Sequence, residues 1–221
     1  MKETLSFDFS TISARERYKI LIGTVVPRPI AWVTTVSPAG RVNAAPFSFF
    51  NCLSADPALV ALGVEYRPSG PSKDTARNIR DTGMFTVNIV SHALMDAMNV
   101  TAVPFPESVD EIAEAGLTTR PGARIAAPSI AEAAASLECE LHSFLDIGNS
   151  REIILGTVVA ANLRQDIVND RFHIDPVLLD AVGRMGGHGY ATTRDYFDLK
   201  TMNEDEYRQK SATRQPQPSA V

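Results

Sequence analysis

RPIAWVTTVSPAGRVNAAPFSFFNCLSADPALVAL, residues 28–62, decides how this chain is read. Residues 28–36 are rich in β-branched and aromatic side chains, Pro38 to Gly40 is a turn signal, and residues 42–46 resume the extended pattern. Residues 48–53 then set serine and asparagine beside Phe49 and Phe50. The stretch therefore reads as three strands joined by tight turns. A strand that only fills a core has little use for Thr34, Thr35, Ser48 and Asn51. Small hydroxyls on an uncrowded backbone suit the close approach of a flat polar ligand.

The pattern continues on both sides. Ser13 to Glu16 (SARE) is a capping box that opens a helix through about Ile22, with Gly23 as its stop. Residues 57–64 form another buried strand candidate, followed by a loop over 65–71 with two prolines and a glycine. Residues 73–81 read as a helix, with Ser72 as N-cap and Gly83 just past its end. Residues 84–90 alternate as a half-buried strand. Residues 92–98 read as a short helix, and the acidic run 107–114 as a solvated helix or loop carrying surface charges. Residues 137–147 and 153–163 form a long hairpin around Gly148, Asn149 and Ser150. Its alternation assigns Leu137, Cys139 and Leu141 to the core and Glu138, Glu140 and His142 to solvent.

Early strands followed by a late hairpin imply a mainly β fold with short α inserts, an antiparallel barrel rather than a doubly wound sheet. The chain has no GxGxxG, GxxxxGK[ST] or GxSxG motif, which argues against the common nucleotide folds and a serine hydrolase. One domain is expected over 1–199, with a polar tail over 200–221 that frays after Tyr207.

At 221 residues the chain can bury a sizeable core without staples. Its 21 basic and 26 acidic side chains give a net charge of −5, so no global field favours nucleic acid or an acidic membrane. Cys52 and Cys139 lie far apart in apolar contexts and read as buried free thiols of a reducing compartment. The four histidines show no metal-ligand spacing, and no apolar leader or spanning segment stands out, so a soluble cytoplasmic protein is expected.

Two further constellations carry ligand chemistry. Ser72 to Ile79 (SKDTARNI) puts Lys73, Asp74 and Thr75 at a helix start, where free N–H groups, a hydroxyl and a cation suit a phosphate monoester. The same residues also describe an ordinary capped amphipathic helix. Gly183 to Tyr190 (GRMGGHGY) has four glycines in eight residues and reads as a loop, either in close approach to a ligand through Arg184, His188 and Tyr190, or at the surface.

Taken in order, these three segments resemble the flavin reductase-like, FMN-binding split-barrel family, over roughly residues 28–190. The resemblance implies a homodimer of Greek-key split barrels with FMN, or FAD, in a groove near the dimer interface. It places Thr34, Thr35, Ser48, Phe49 and Asn51 near the ribityl chain and ring edge, and Lys73, Asp74 and Thr75 at the phosphate. Arg28 is a second phosphate cation or a surface or interface residue. Arg184, His188 and Tyr190 approach the ring, from the same or the partner subunit. The activity implied is an NAD(P)H-dependent flavin reductase or FMN-dependent oxidoreductase, serving an oxygenase that consumes reduced flavin. A non-catalytic FMN carrier and an FMN-dependent oxygenase acting on a small molecule are the alternatives. Hydride transfer to flavin needs no side-chain acid or base, so no catalytic residue is assigned beyond the candidate His188.

Overall fold

The fold is described from a computed structural model, which covers residues 2–66, 72–106, 108–148 and 150–212. Most of the loop expected after Glu65, Glu107 of the acidic run, Asn149 of the hairpin turn and the tail beyond 212 lie outside these residues.

Helix α1 (Ala14–Thr24) opens on the expected capping box: the Ser13 N–H donates to Glu16 Oε2 at 2.8 Å, and the Glu16 N–H to Ser13 Oγ at 3.3 Å. It runs one residue past Gly23, because its last carbonyls find another partner, the Arg28 guanidinium. The expected first strand divides at Ile30 into β1 (Arg28–Pro29) and β2 (Ala31–Val36). Then come β3 (Val42–Phe47), β4 (Phe50–Ala55) and β5 (Ala58–Glu65). Helix α2 (Asp74–Thr82) has Lys73 as N-cap rather than Ser72, and Gly83 ends it at φ 71°. Strand β6 (Met84–Ile89) leads to a 3₁₀ turn at His92–Leu94 and helix α3 (Met95–Val100). Helix α4 (Glu111–Glu114), β7 (Thr119–Arg120) and β8 (Ser129–Ile130) precede the long hairpin of β9 (Ala135–Asp146) and β10 (Arg151–Leu163). The chain closes with α5 (Pro176–Leu179), β11 (Val182–Arg184), β12 (Tyr190–Thr192) and α6 (Glu204–Ala212), so the tail stays helical beyond Tyr207.

Seven strands form one antiparallel sheet in the order β3-β2-β6-β9-β10-β5-β4. Strands β3 and β4 occupy its opposite edges, yet only Ser48 and Phe49 separate them in the chain. Two residues cannot cross a flat seven-stranded sheet, whose strands stand about 4.8 Å apart. The sheet must curl until its edges meet at Ser48 and Phe49, giving a barrel split along that seam. The Phe49 carbonyl extends the β4–β5 ladder up to the seam by accepting the Gly63 N–H of β5 at 2.7 Å.

Strand β2 is buried on both faces. Ala31 and Val33 join Leu62, Phe85, Ile154 and the α2 residues Ala76 and Ile79 inside the barrel. Trp32 turns outward into a second core with Met98, Ile112 and Ile130, beneath α3 and α4. Its indole N–H is satisfied by Thr101 Oγ1 at 2.9 Å. Strand β6, expected to be half-buried, is likewise covered on both sides from Phe85 to Asn88. Gly156 gives the Phe85 ring its space, since a Cβ there would stand 2.7 Å from Phe85 Cε1.

Two expectations of burial are corrected. Glu138 does not face solvent: it is 0% exposed, and its carboxylate accepts the N–H groups of Ala123, Arg124 and Ile125 and the Asn162 amide at 2.7–3.1 Å. Cys52 is exposed on β4, while Cys139 is buried, which pushes its thiol up to about 12. The glycine-rich segment is not an irregular loop throughout. Its ends are β11 and β12, a hairpin that pairs with β1 in a small three-stranded sheet.

Candidate functional site

Helix α2 hangs from the barrel by its polar side chains. The Asn43 amide on β3 donates to Thr75 Oγ1 at 3.2 Å, and the Asn78 amide donates to Thr35 Oγ1 at 3.0 Å. Arg80, near the end of the helix, pairs with buried Glu152 of β10 and lies 4.4 Å from the Phe144 ring centroid. These contacts aim the start of α2 at the barrel seam. There the Lys73 ammonium stands 5.7 Å over the ring of Phe47, the residue before Ser48. Asp74 in the first turn pairs with Arg77 at 2.7 Å, which offsets its charge beside the helix start. The donor set is thus a half-buried cation at the start of a helix, beside the Phe47 ring that leads into Ser48. That set fits a phosphate-bearing ligand.

The other wall is the seam itself. Ser48 is half-buried, and Asn51 is exposed on β4 with its Oδ1 held by the Cys52 N–H at 2.9 Å. Phe49 is gripped from within the fold, its ring stacked on Tyr18 of α1 at 6.3 Å and under the Arg151 guanidinium at 3.8 Å.

The sequence-assigned residues therefore fall into three groups. Lys73, Asp74 and Thr75 lie at the start of α2, which meets β3 through Phe47 and Asn43, while Ser48, Phe49 and Asn51 follow Phe47 into the seam and β4. Thr34 and Thr35 are fully buried with hydroxyls engaged inside the protein: Thr34 Oγ1 donates to the Pro128 carbonyl and accepts from the Asn88 amide at 3.2 Å. Any contact they make with a ligand at the seam runs through their backbone or through α2. The third group is the small sheet. Arg28 is 7% exposed, so it is no surface residue; its guanidinium donates to the carbonyls of Ile22, Val25 and Met185 at 2.7–3.1 Å and locks α1 to the hairpin. Arg184 lies 4.5 Å from the Tyr190 ring centroid and donates to the Gly187 carbonyl at 2.7 Å, while His188 is exposed on the turn. This sheet flanks β4, because β1 packs beside it.

Sequence reasoning missed Asn43, Asn78, Arg80, Arg151 and Glu152. Two of them, Asn78 and Arg80, stand near the Lys73 segment on a helix whose inward face could be drawn from spacing alone. The others become visible only once strand register is known.

The same architecture occurs in known proteins. The flavin reductase like domain matches residues 22–187, and the chain belongs to that family. It is 42% identical over 216 residues to an uncharacterized protein of Deinococcus radiodurans, covering 95% of both chains. Among solved structures it resembles nitrilotriacetate monooxygenase component B from Bacillus cereus, with a TM-score of 0.85 and 32% identity over 90% of this chain and 100% of that one. It also resembles the 2-nitrobenzoate 2-nitroreductase NbaA of Pseudomonas fluorescens, with a TM-score of 0.83 and 29% identity over 90% and 98% of the two chains. Among the described residues, no helix is long and apolar enough to cross a membrane.

Proposed function

We propose that this protein binds FMN at the barrel seam and acts, as a homodimer, as an NAD(P)H-dependent flavin oxidoreductase. The observation that carries this reading is the cation at the α2 start, where the Lys73 ammonium stands over the ring of Phe47, the residue that leads into Ser48. A cation and helix N-terminus beside the end of β3, with the polar residues Ser48 and Asn51 next in the chain, suit a ligand with a phosphate at one end and a polar-edged ring at the other. Lys73 and the first turn of α2 hold the phosphate, and Ser48 and Asn51 meet the ribityl chain and ring edge. The β11–β12 hairpin supplies Arg184, Tyr190 and the candidate proton donor His188 to a ring site, in its own or the partner subunit. When bound, the flavin would supply the hydride acceptor. Likeness to a component B of a monooxygenase supports a role in delivering reduced flavin to an oxygenase.

The test is direct. The purified protein should show a flavin absorption spectrum or bind added FMN, and should oxidise NADH or NADPH in an FMN-dependent way. A tight yellow complex with no nicotinamide turnover would overturn the reductase and favour a carrier. Sedimentation at micromolar protein should give a dimer.

A further inference from the structure

Arg151 and Glu152 are successive residues at the start of β10, so their side chains leave opposite faces of the strand. Each takes hold of a different half of the candidate site. Arg151 donates to the Gly63 carbonyl at 3.2 Å, pairs with Glu65 at 2.7 Å and presents its guanidinium to the Phe49 ring at the seam. Glu152, 2% exposed, pairs with Arg80 of α2. The second carboxylate oxygen of Glu152 is buried with no hydrogen-bond partner among the described residues.

That arrangement is a poor way to stabilise a barrel. With Arg80 half-exposed, the ion pair contributes little to stability, and the unsatisfied buried oxygen of Glu152 detracts from it. What such a pair does provide is direction. The Arg80 side chain is fixed between a carboxylate and the Phe144 ring, and this fixes the far end of a helix only nine residues long. At 1.5 Å per residue the helix spans about 13 Å, so a shift at Arg80 is carried to the N–H groups at its start. With Asn43 on Thr75 and Asn78 on Thr35, Arg80 on Glu152 completes three attachments along α2.

We infer that Arg80 and Glu152 are positioning residues for the phosphate of the bound flavin, acting through the orientation of α2. The inference rests on the phosphate reading of the α2 start. It is tested by comparing FMN with riboflavin, the same flavin without its phosphate. Binding of each to the full chain is measured by flavin fluorescence, with thermal unfolding recorded in parallel. Wild type should bind FMN more tightly than riboflavin by about tenfold or more, as expected for a charge-assisted phosphate contact. In the double variant R80M/E152M the pair becomes apolar and the melting temperature should hold. Its preference for FMN should nevertheless fall roughly tenfold, because charge-assisted hydrogen bonds to phosphate weaken steeply with distance and angle, while riboflavin affinity stays unchanged. R80K should keep part of the preference, since it retains the charge and loses the planar guanidinium held against the Phe144 ring.

An undiminished FMN preference in a stably folded R80M/E152M protein would overturn the positioning role. If that variant does not fold, R80K decides. The Arg80 side chain is 47% exposed and tolerates the change, and an undiminished preference there likewise overturns the inference. Equal affinity of wild type for FMN and riboflavin would instead overturn the phosphate site itself.

Discussion

The Asn78 side chain donates to the Thr35 hydroxyl at 3.0 Å, joining α2 to strand β2 where solvent does not reach. Replacing Thr35 with valine keeps the shape and removes the acceptor. The Asn78 amide is then buried without its partner, a loss of about 1–3 kcal/mol. Denaturant unfolding of Thr35→Val should show a lower midpoint with an unchanged slope. An unshifted midpoint would mean that the helix is held in another way.

Lys73 is the cation at the start of α2. Its replacement by alanine should weaken FMN binding by about 1.5–3 kcal/mol, roughly ten- to a hundredfold, because a charge-assisted contact to phosphate is lost. Titration of the flavin into Lys73→Ala and wild type reads this directly. The melting temperature of the unliganded protein should not change, since the ammonium rests over a ring rather than in the core.

Ser48 is one of the two residues between the sheet edges. A leucine there should crowd the ligand wall while leaving both flanking strands intact. The expected result for Ser48→Leu is a native circular dichroism spectrum with reduced flavin content. Full flavin occupancy would place the ligand elsewhere.

Glu138 predicts a pH dependence. Burial alone would raise its carboxyl, but the Ala123 N–H, the Asn162 amide and the N–H groups of Arg124 and Ile125 together hold it below the usual range. A group lowered in this way contributes stability that is complete above its unfolded value, about pH 4.3, and is lost as pH falls through the lowered native value. Glu138→Gln should therefore be less stable at pH 7 by about 1.5–3 kcal/mol, the worth of a hydrogen bond to a charged group. The gap from wild type should close below about pH 4. A gap that stays constant into acid would assign the loss to packing.

Glu138 also shows where reading the chain stops. Its hairpin was legible from alternation, and the split-barrel family from the order of three segments. Its burial was not, because period-two patterning assumes that polar means wet. The N–H groups that satisfy this carboxylate come from residues 123–125, a loop with no periodic signal. Thr34 and Thr35 carry the same lesson, since polar residues on a strand covered from both sides look like ligand contacts in one dimension. The Ser13 capping box and the Gly83 stop were legible because each is settled within one turn of helix. Arg80 and Glu152 sit on elements paired only in space. Their partnership needs the register of β10 and the tilt of α2.

The position of the β9–β10 hairpin in the sheet has a consequence for the order of assembly. Strands β2, β3 and β6 can pair among themselves early, as can β4 and β5, yet the two groups have no direct ladder between them. They are joined only when β9 docks on β6 and β10 docks on β5, where Ile154 faces Leu62 from the far half of the chain. Until then an emerging chain shows two uncovered strand edges that could pair with neighbouring chains. Closure by such distant partners is slow compared with local pairing. The last long hairpin is thus the clasp of the barrel, and a chain cut short before Ala135 would have everything needed to make strands and nothing to make a barrel.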